Sequence, residues 1–372
     1  MPEVGFGRGF DEFIPRSYLN EKGRRQKRNP GDFETVLDWL DEGLVRATAP
    51  DENGERPPLF LYLHPVDPHA PYEKLQRYEE FLPPGSTPPA GPKGWMRETL
   101  ATYGAPAPVE DPGWRSGLRF IRDQRNRYDR EVRFTDEIYG RLLERLRELG
   151  VGDKLITAVI SDHGEELWEH LAPLTPQQLE NAPPHIFFYQ SHGYLMTEQA
   201  LRTPFLLAGP GVPPGLVIDE AVENVDLYPT LMELCGIEPE TDLHGFSLVP
   251  LMEGKIDRSG WRSETYAFVE QAMVIRDEES GLKLILPTKM GASKGFVPEL
   301  YDLENDPAEL TNIATQRVED VQRLSSRLAA YLERYPSEEY TVDGAQAEDL
   351  LDLLNEFGYG GDMIRAGANE DE

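Results

Sequence analysis

The chain has 372 residues, 39% of them hydrophobic, and its 67 acidic against 37 basic residues give a formal net charge of −30. This supports one large folded core with a smaller appendage and excludes a wholly disordered chain; the charge argues against nucleic acid and anionic lipid as partners. A single cysteine, Cys235, excludes an intrachain disulfide and a cysteine-rich zinc site.

The opening run MPEVGFGRGFDEF carries neither an apolar signal segment nor a basic leader, and no stretch of about 20 apolar residues follows. The chain as written therefore reads as soluble and without a membrane span, although a signal peptide upstream of Met1 would be lost with a longer start. Phe33, Val36, Leu37, Leu40, Leu44 and Val45 have helical spacing, and Leu59–Leu63 (LFLYL) reads as a short buried strand ending at His64. Residues 82–113, rich in Pro and Gly, predict a long loop.

From Tyr128 to Leu149, Val132, Ile138, Leu142, Leu143, Leu146 and Leu149 mark one face of a long helix stopped by Gly150. Leu155–Ile160 and Phe205–Ala208 are apolar runs of strand length, and a helix before such a run suggests a parallel sheet covered on both faces. A helix over Asp226–Cys235 ends at Gly236 and makes Cys235 a small buried hydrophobe. Beyond residue 260, Thr265–Glu270, Met273–Arg276 and Lys283–Leu286 predict a small antiparallel sheet with a turn at Ser280–Gly281. Val318, Val321, Leu324, Leu328 and Leu332 define an amphipathic helix to pack on it, and 336–372 reads as an acidic tail.

Chemistry concentrates after two of the predicted strands. Ser161-Asp162-His163-Gly164-Glu165-Glu166 follows Leu155–Ile160, and ligands of open α/β sheets bind beyond such strand ends. Asp162 beside His163 suits a divalent cation; a polar turn with a backbone-bonded His163 is the competing reading. His64-Pro65-Val66-Asp67-Pro68-His69-Ala70-Pro71-Tyr72 forms a proline-stiffened loop in which His69 could donate to an anion or protonate a leaving group, or simply be a satisfied loop histidine. His170, His185 and His244 read as surface or structural histidines.

Six segments in one order over residues 1–335 carry a family resemblance. FLYLHPVDPHAPY resembles the DPH-x-PY segment of sulfatases, YDREVRFTDEIYGRLLERLRELG their long helix, and AVISDHGEELWEH their SDHGE segment. SHGYLMTEQALRTPFLLAGPGV, ENVDLYPTLMELCGI and ELYDLENDPAELTNIA are similar to later signatures of the same family. The resemblance implies that Asp162 and His163 ligate a divalent metal, calcium first, with magnesium, manganese or zinc as alternatives. It further implies that His69 contacts the transferred group or the leaving oxygen. His192 lies near the Lys or His that binds sulfate in the family, although Thr197 stands where a Tyr is usual and 171–190 reads as an insertion. Arg202 is expected to pair with a carboxylate.

The family's Cys-or-Ser-x-Pro-x-Arg nucleophile segment does not occur in these 372 residues, and the opening VGFGRGFDEF resembles a segment that follows the nucleophile. An internal Met taken as the start is the favoured explanation; a non-catalytic relic that only binds anions, or a separate chain completing the site, are the others. The expected fold is α/β, an alkaline phosphatase-like α/β/α sandwich with a mainly parallel sheet over 1–255, a small α+β subdomain over 256–335 and a tail over 336–372. The expected activity is sulfuric ester hydrolysis of a small-molecule or saccharide sulfate. A phosphodiesterase, phosphonate monoester hydrolase or phosphoethanolamine-type transferase is the alternative. Asp162, His163, His69 and His192 are expected to converge on one cleft.

Overall fold

The structure, a computed structural model, describes residues 42–46, 48–55, 58–65, 68–69, 72, 112–167, 190–192, 196–238, 243–256 and 261–335, with side chains described except for 112–123 and 190–191. The chain divides into two compact units, one of residues 1–66 and 132–153, the other of 67–131 and 154–372. Most of the predicted helix at 33–48 and of the predicted loop at 82–113, and the whole tail at 336–372, lie outside the described residues; the last two loop residues, 112 and 113, are helical.

In the first unit, residues 42–46 are helical, Leu44 is buried, and the Thr48 hydroxyl donates to the Leu44 carbonyl (2.6 Å) to close the turn. The predicted strand at 59–63 does not form. A strand exists only through a neighbour's ladder, and 58–65 pairs with nothing in the described sheets. Alternate residues Phe60 and Tyr62 are 70% and 59% exposed, so this apolar run is half-covered rather than buried on both faces.

Helix α1 (Pro112–Glu148) is longer than its apolar spacing suggests, starting on a proline whose missing N–H costs nothing in a first turn. In the part belonging to the first unit, Phe134, Ile138, Leu142 and Leu146 recur every fourth residue and are buried, whereas Val132, expected on that face, is exposed. The helix ends at Gly150 in the left-handed conformation, where Val151 N–H reaches back to the Leu146 carbonyl (3.1 Å).

The second unit holds the strands. β1 (Thr157–Ile160) pairs antiparallel with β4 (Phe205–Ala208), and β2 (Glu166–Leu167) pairs antiparallel with β3 (Gln190–Ser191). All ladders among the described residues are antiparallel, so the two apolar runs at β1 and β4 are not the parallel neighbours that a βαβ reading would make them. The short helix α2 (Glu198–Leu201) leads into β4, and α3 (Leu227–Leu234) follows a 3-10 turn at Asn224–Asp226. Cys235 is the C-cap residue of α3 and is exposed, correcting its reading as a core residue: the last turn carries it past the buried side of the helix.

After α4 (Val249–Met252), strands β5 (Glu264–Val269), β6 (Ala272–Asp277), β7 (Leu282–Pro287) and β8 (Glu299–Asp302) form an antiparallel sheet in that order. Helix α5 (Lys289–Ser293) joins β7 to β8, and α6 (Val318–Arg334) lies on β6 and β7. The alternation of strand side chains decides the packing. Met273, Ile275, Leu284 and Leu286 meet Val321, Leu324 and Leu328 of α6 in one core, while Ala272 and Val274 face Met196 on the other side. With both faces covered, Lys283 of β7 is wholly buried. No described helix is long and apolar enough to cross a membrane.

Candidate active site

The loop after β1 is tied down at nearly every residue. Asn224 Nδ2 donates to the Ser161 carbonyl (2.9 Å), Ser161 Oγ to the His163 carbonyl (2.8 Å), and His163 N–H to Asp162 Oδ1 (3.0 Å). Gly164 N–H donates to the Ala200 carbonyl of α2 (2.8 Å), so close to α2 that a Cβ on Gly164 would lie 2.0 Å from the Gln199 carbonyl oxygen. Glu166, wholly buried, accepts from Thr197 Oγ1 (3.0 Å) just ahead of α2. That link holds Thr197 to the loop.

His163 Nδ1 lies 2.7 Å from the Gly164 carbonyl. A carbonyl only accepts, so Nδ1 carries a proton, and in the neutral ring Nε2 is the acceptor. Nε2 sits 3.6 Å from Asp162 Oδ1, and the Asp162 side chain is 70% exposed. The His192 ring stacks on the His163 ring at 3.7 Å, and the His69 ring meets His192 edge-on at 5.0 Å. His192 Nδ1 is 3.1 Å from the nearly buried Glu165 carboxylate, which again makes Nδ1 a donor, with Nε2 an acceptor in the neutral ring and a donor in the protonated one. Tyr72 is buried beside them, its ring edge-on to Tyr128 at 5.6 Å; burial and then the Glu165 charge push its phenol above the ordinary range.

His69, Asp162, His163 and His192 thus come together from three separate stretches of chain. The cation test is met in part: an oxygen and an imidazole lone pair at adjacent residues suit a divalent ion, while no group of three or more such ligands assembles among the described residues. His64 is exposed, with its ring edge-on to Tyr62, and His244 is exposed against the Tyr335 ring; Asp67, His170 and His185 lie outside the described residues. Among the described residues, Arg202 pairs with no carboxylate. It is exposed, without an ion pair among the described residues, and lines a cavity of about 310 Å³ with Gln199, Arg276 and Pro307. Glu165, Glu166 and Thr197, named in the segments above without a role, and Asn224 are each joined to the site by a hydrogen bond between residues distant in the chain.

The sulfatase family model matches residues 2–237, more than half of the chain, and a model described as "N-sulphoglucosamine sulphohydrolase, C-terminal" matches 187–337. The chain belongs to the sulfatase family. Arylsulfatase K of Homo sapiens is 30% identical over 233 residues, 60% of this sulfatase-family chain and 39% of the relative. Arylsulfatase K of Xenopus laevis is 28% identical over 226 residues, 58% of this chain and 38% of that one. The chain thus spans about two fifths of the length of these curated relatives. Among solved structures, the phosphonate monoester hydrolase of Silicibacter pomeroyi superposes with a TM-score of 0.58 at 20% identity, over 91% of this chain and 68% of that chain. That likeness shows the fold, the alkaline phosphatase-like α/β architecture of the sulfatases.

Proposed function

We propose that this chain forms the metal-binding and leaving-group side of the active site of a sulfuric ester hydrolase acting on a small-molecule or saccharide sulfate. The observation that carries the proposal is the convergence of His69, His163 and His192 with Asp162, two of the rings held through Nδ1. Membership of the sulfatase family supports the choice of ester, and the C-terminal match to a sulphoglucosamine sulphohydrolase supports a saccharide as its carrier.

In this reading Asp162 and His163 hold a divalent cation, calcium first, which would compensate the negative charge of the sulfate oxygens. The carbonyl of Gly164 fixes the His163 ring, and Glu165 fixes that of His192. His192, when protonated, donates from Nε2 to a sulfate oxygen. His69 gives a proton to the alcohol oxygen as its bond to sulfur breaks, removing the charge that would develop there. The nucleophile comes from outside these 372 residues, in which no Cys/Ser-x-Pro-x-Arg segment occurs.

The test is hydrolysis of 4-nitrophenyl sulfate. The 372-residue chain is expected to turn over no faster than its Asp162→Ala/His163→Ala variant. A longer gene product carrying an Asp-rich strand and a matured Cys/Ser-x-Pro-x-Arg segment is expected to be active and to lose that activity with His163→Ala. Metal-dependent turnover by the 372-residue chain alone would overturn the external nucleophile. A longer product that cleaves a phosphonate monoester and spares the sulfate would overturn the choice of ester.

A further inference from the structure

We infer that Glu309 is a positioning residue, through which the C-terminal sheet sets the orientation of His163 against His192; its importance for catalysis rests on the sulfatase reading above, its geometry does not. Glu309 is a buried non-glycine residue in the left-handed region, at φ 54°. A side-chain-bearing residue held there is strained, and the surroundings must over-determine it. They do: Glu309 N–H donates to the Asp306 carbonyl (3.0 Å), and the Asp306 carboxylate accepts from Leu310 N–H (3.1 Å) and Thr311 N–H (2.8 Å).

The strained turn delivers a carboxylate with both oxygens engaged. Oε1 accepts from Lys283 Nζ (2.7 Å), the fully buried lysine of β7, and Oε2 accepts from Glu198 N–H (2.8 Å), the first residue of α2. Glu198 also receives Lys283 Nζ on its own Oε1 (3.1 Å) and Arg276 on Oε2 (3.1 Å). The start of α2 is thereby bound to β6 and β7 by charges that have no water to exchange with at Lys283.

From α2 the path to the imidazoles is short and stiff. Ala200 of α2 accepts from Gly164 N–H, the carbonyls of Gln199 and Arg202 leave no space for a Cβ on Gly164, and the Gly164 carbonyl accepts from His163 Nδ1. A displacement of α2 therefore moves the group that sets the His163 ring. A shift of that ring changes its stacking at 3.7 Å on His192.

Ring stacking gives a readout that needs no substrate, so the fate of this inference and that of the sulfatase reading are separable. Imidazole resonances of the full chain are recorded by NMR with selectively labelled histidine and assigned by single substitution. Glu309→Gly keeps the left-handed turn without strain and deletes the carboxylate; it is expected to shift the His163 and His192 resonances and leave His244 in place. Glu309→Gln, whose amide oxygen can still accept from Glu198 N–H, is expected to shift them less and serves if the glycine variant fails to fold. Leu328→Ala, which weakens the same C-terminal core away from this path, is the control and is expected to leave the pair unmoved. Unchanged resonances in both Glu309 variants, or an equal shift in Leu328→Ala, would overturn the inference.

Discussion

Arg262→Met should be among the most damaging single changes outside the histidine cluster. The guanidinium makes a bidentate pair with Asp226 (2.6 and 2.7 Å), reaches Glu223 at 3.2 Å and lies over the rings of Phe246 and Trp261 at 5.1 and 5.8 Å. Asp226 is wholly buried and the Arg262 side chain is 5% exposed, so neither charge is shared with solvent. Methionine keeps much of the volume against the rings, which isolates the electrostatic loss. Asp226 retains only the backbone N–H groups of Glu223 and Phe246, at 2.8 Å each. Stranding one partner of a buried pair costs about 3–5 kcal/mol. For a chain of this size that is a fall of roughly 4–6 °C in the thermal midpoint, followed by circular dichroism at pH 7. Burial already pushes the Glu223 carboxyl upward, with Arg262 opposing it, so the deficit should narrow toward pH 4 as Glu223 takes up a proton. Arg262→Lys should recover only part of the loss, because a point charge cannot reproduce the fork. A methionine variant as stable as the parent at pH 7 would refute the reasoning, since it would mean that the pair is fully offset by its desolvation.

Gly164→Ala must push a Cβ into the backbone of α2, where Gln199 O would be 2.0 Å away; we expect a loss of about 1–3 kcal/mol in urea unfolding and displaced His163 resonances. Burial pushes the Glu299 carboxyl from 4.5 up to about 7, against the hydrogen bond from Tyr301. Its folded value being raised, the contribution is full below about pH 4.5 and is lost as pH climbs through 7. The rise corresponds to about 3 kcal/mol, nearer 2 because part of the residue reaches solvent, and Glu299→Gln should flatten this slope in stability measured from pH 4.5 to 7.5. Thr288 caps α5 by accepting from Gly291 N–H (3.2 Å) and donates to the Glu270 carbonyl (2.7 Å); Thr288→Ala should cost about 1–2 kcal/mol in the same assay, and Thr288→Ser much less.

What could be read in advance follows the range of the forces involved. The stripe of α1, the runs at β1 and β4, the strands β5 to β7 and the face of α6 each declare themselves within a few residues, and all are present. LFLYL shows the limit: apolar content suggests a strand, but only a neighbour makes one, and the neighbour is a property of the tertiary structure. β8 escaped because four residues carry too little alternation to stand out from the turns around them. In the candidate site, Asp162, His163, His69 and His192 could be named from their segments. Glu165 against His192 and Thr197 against Glu166, 27 and 31 residues apart, and Glu309 against Glu198, 111 apart, were not. No local pattern marks a carboxylate whose partner lies on another element. Lys283 is the extreme case, occupying a strand position that alternation would leave to solvent until α2 and the turn at Glu309 enclose it.

Cys235 sits exposed at the C-terminal end of α3 and is the only thiol in the chain. Such a residue is a ready-made attachment point: a maleimide dye or spin label added to the unaltered 372-residue chain goes to one known place, so distance measurements on it need no cysteine removed beforehand. The same chemistry sets a handling condition. Without reductant, two copies can join through this sulfur, and a doubled mass seen in solution would then report oxidation at α3 rather than a built interface.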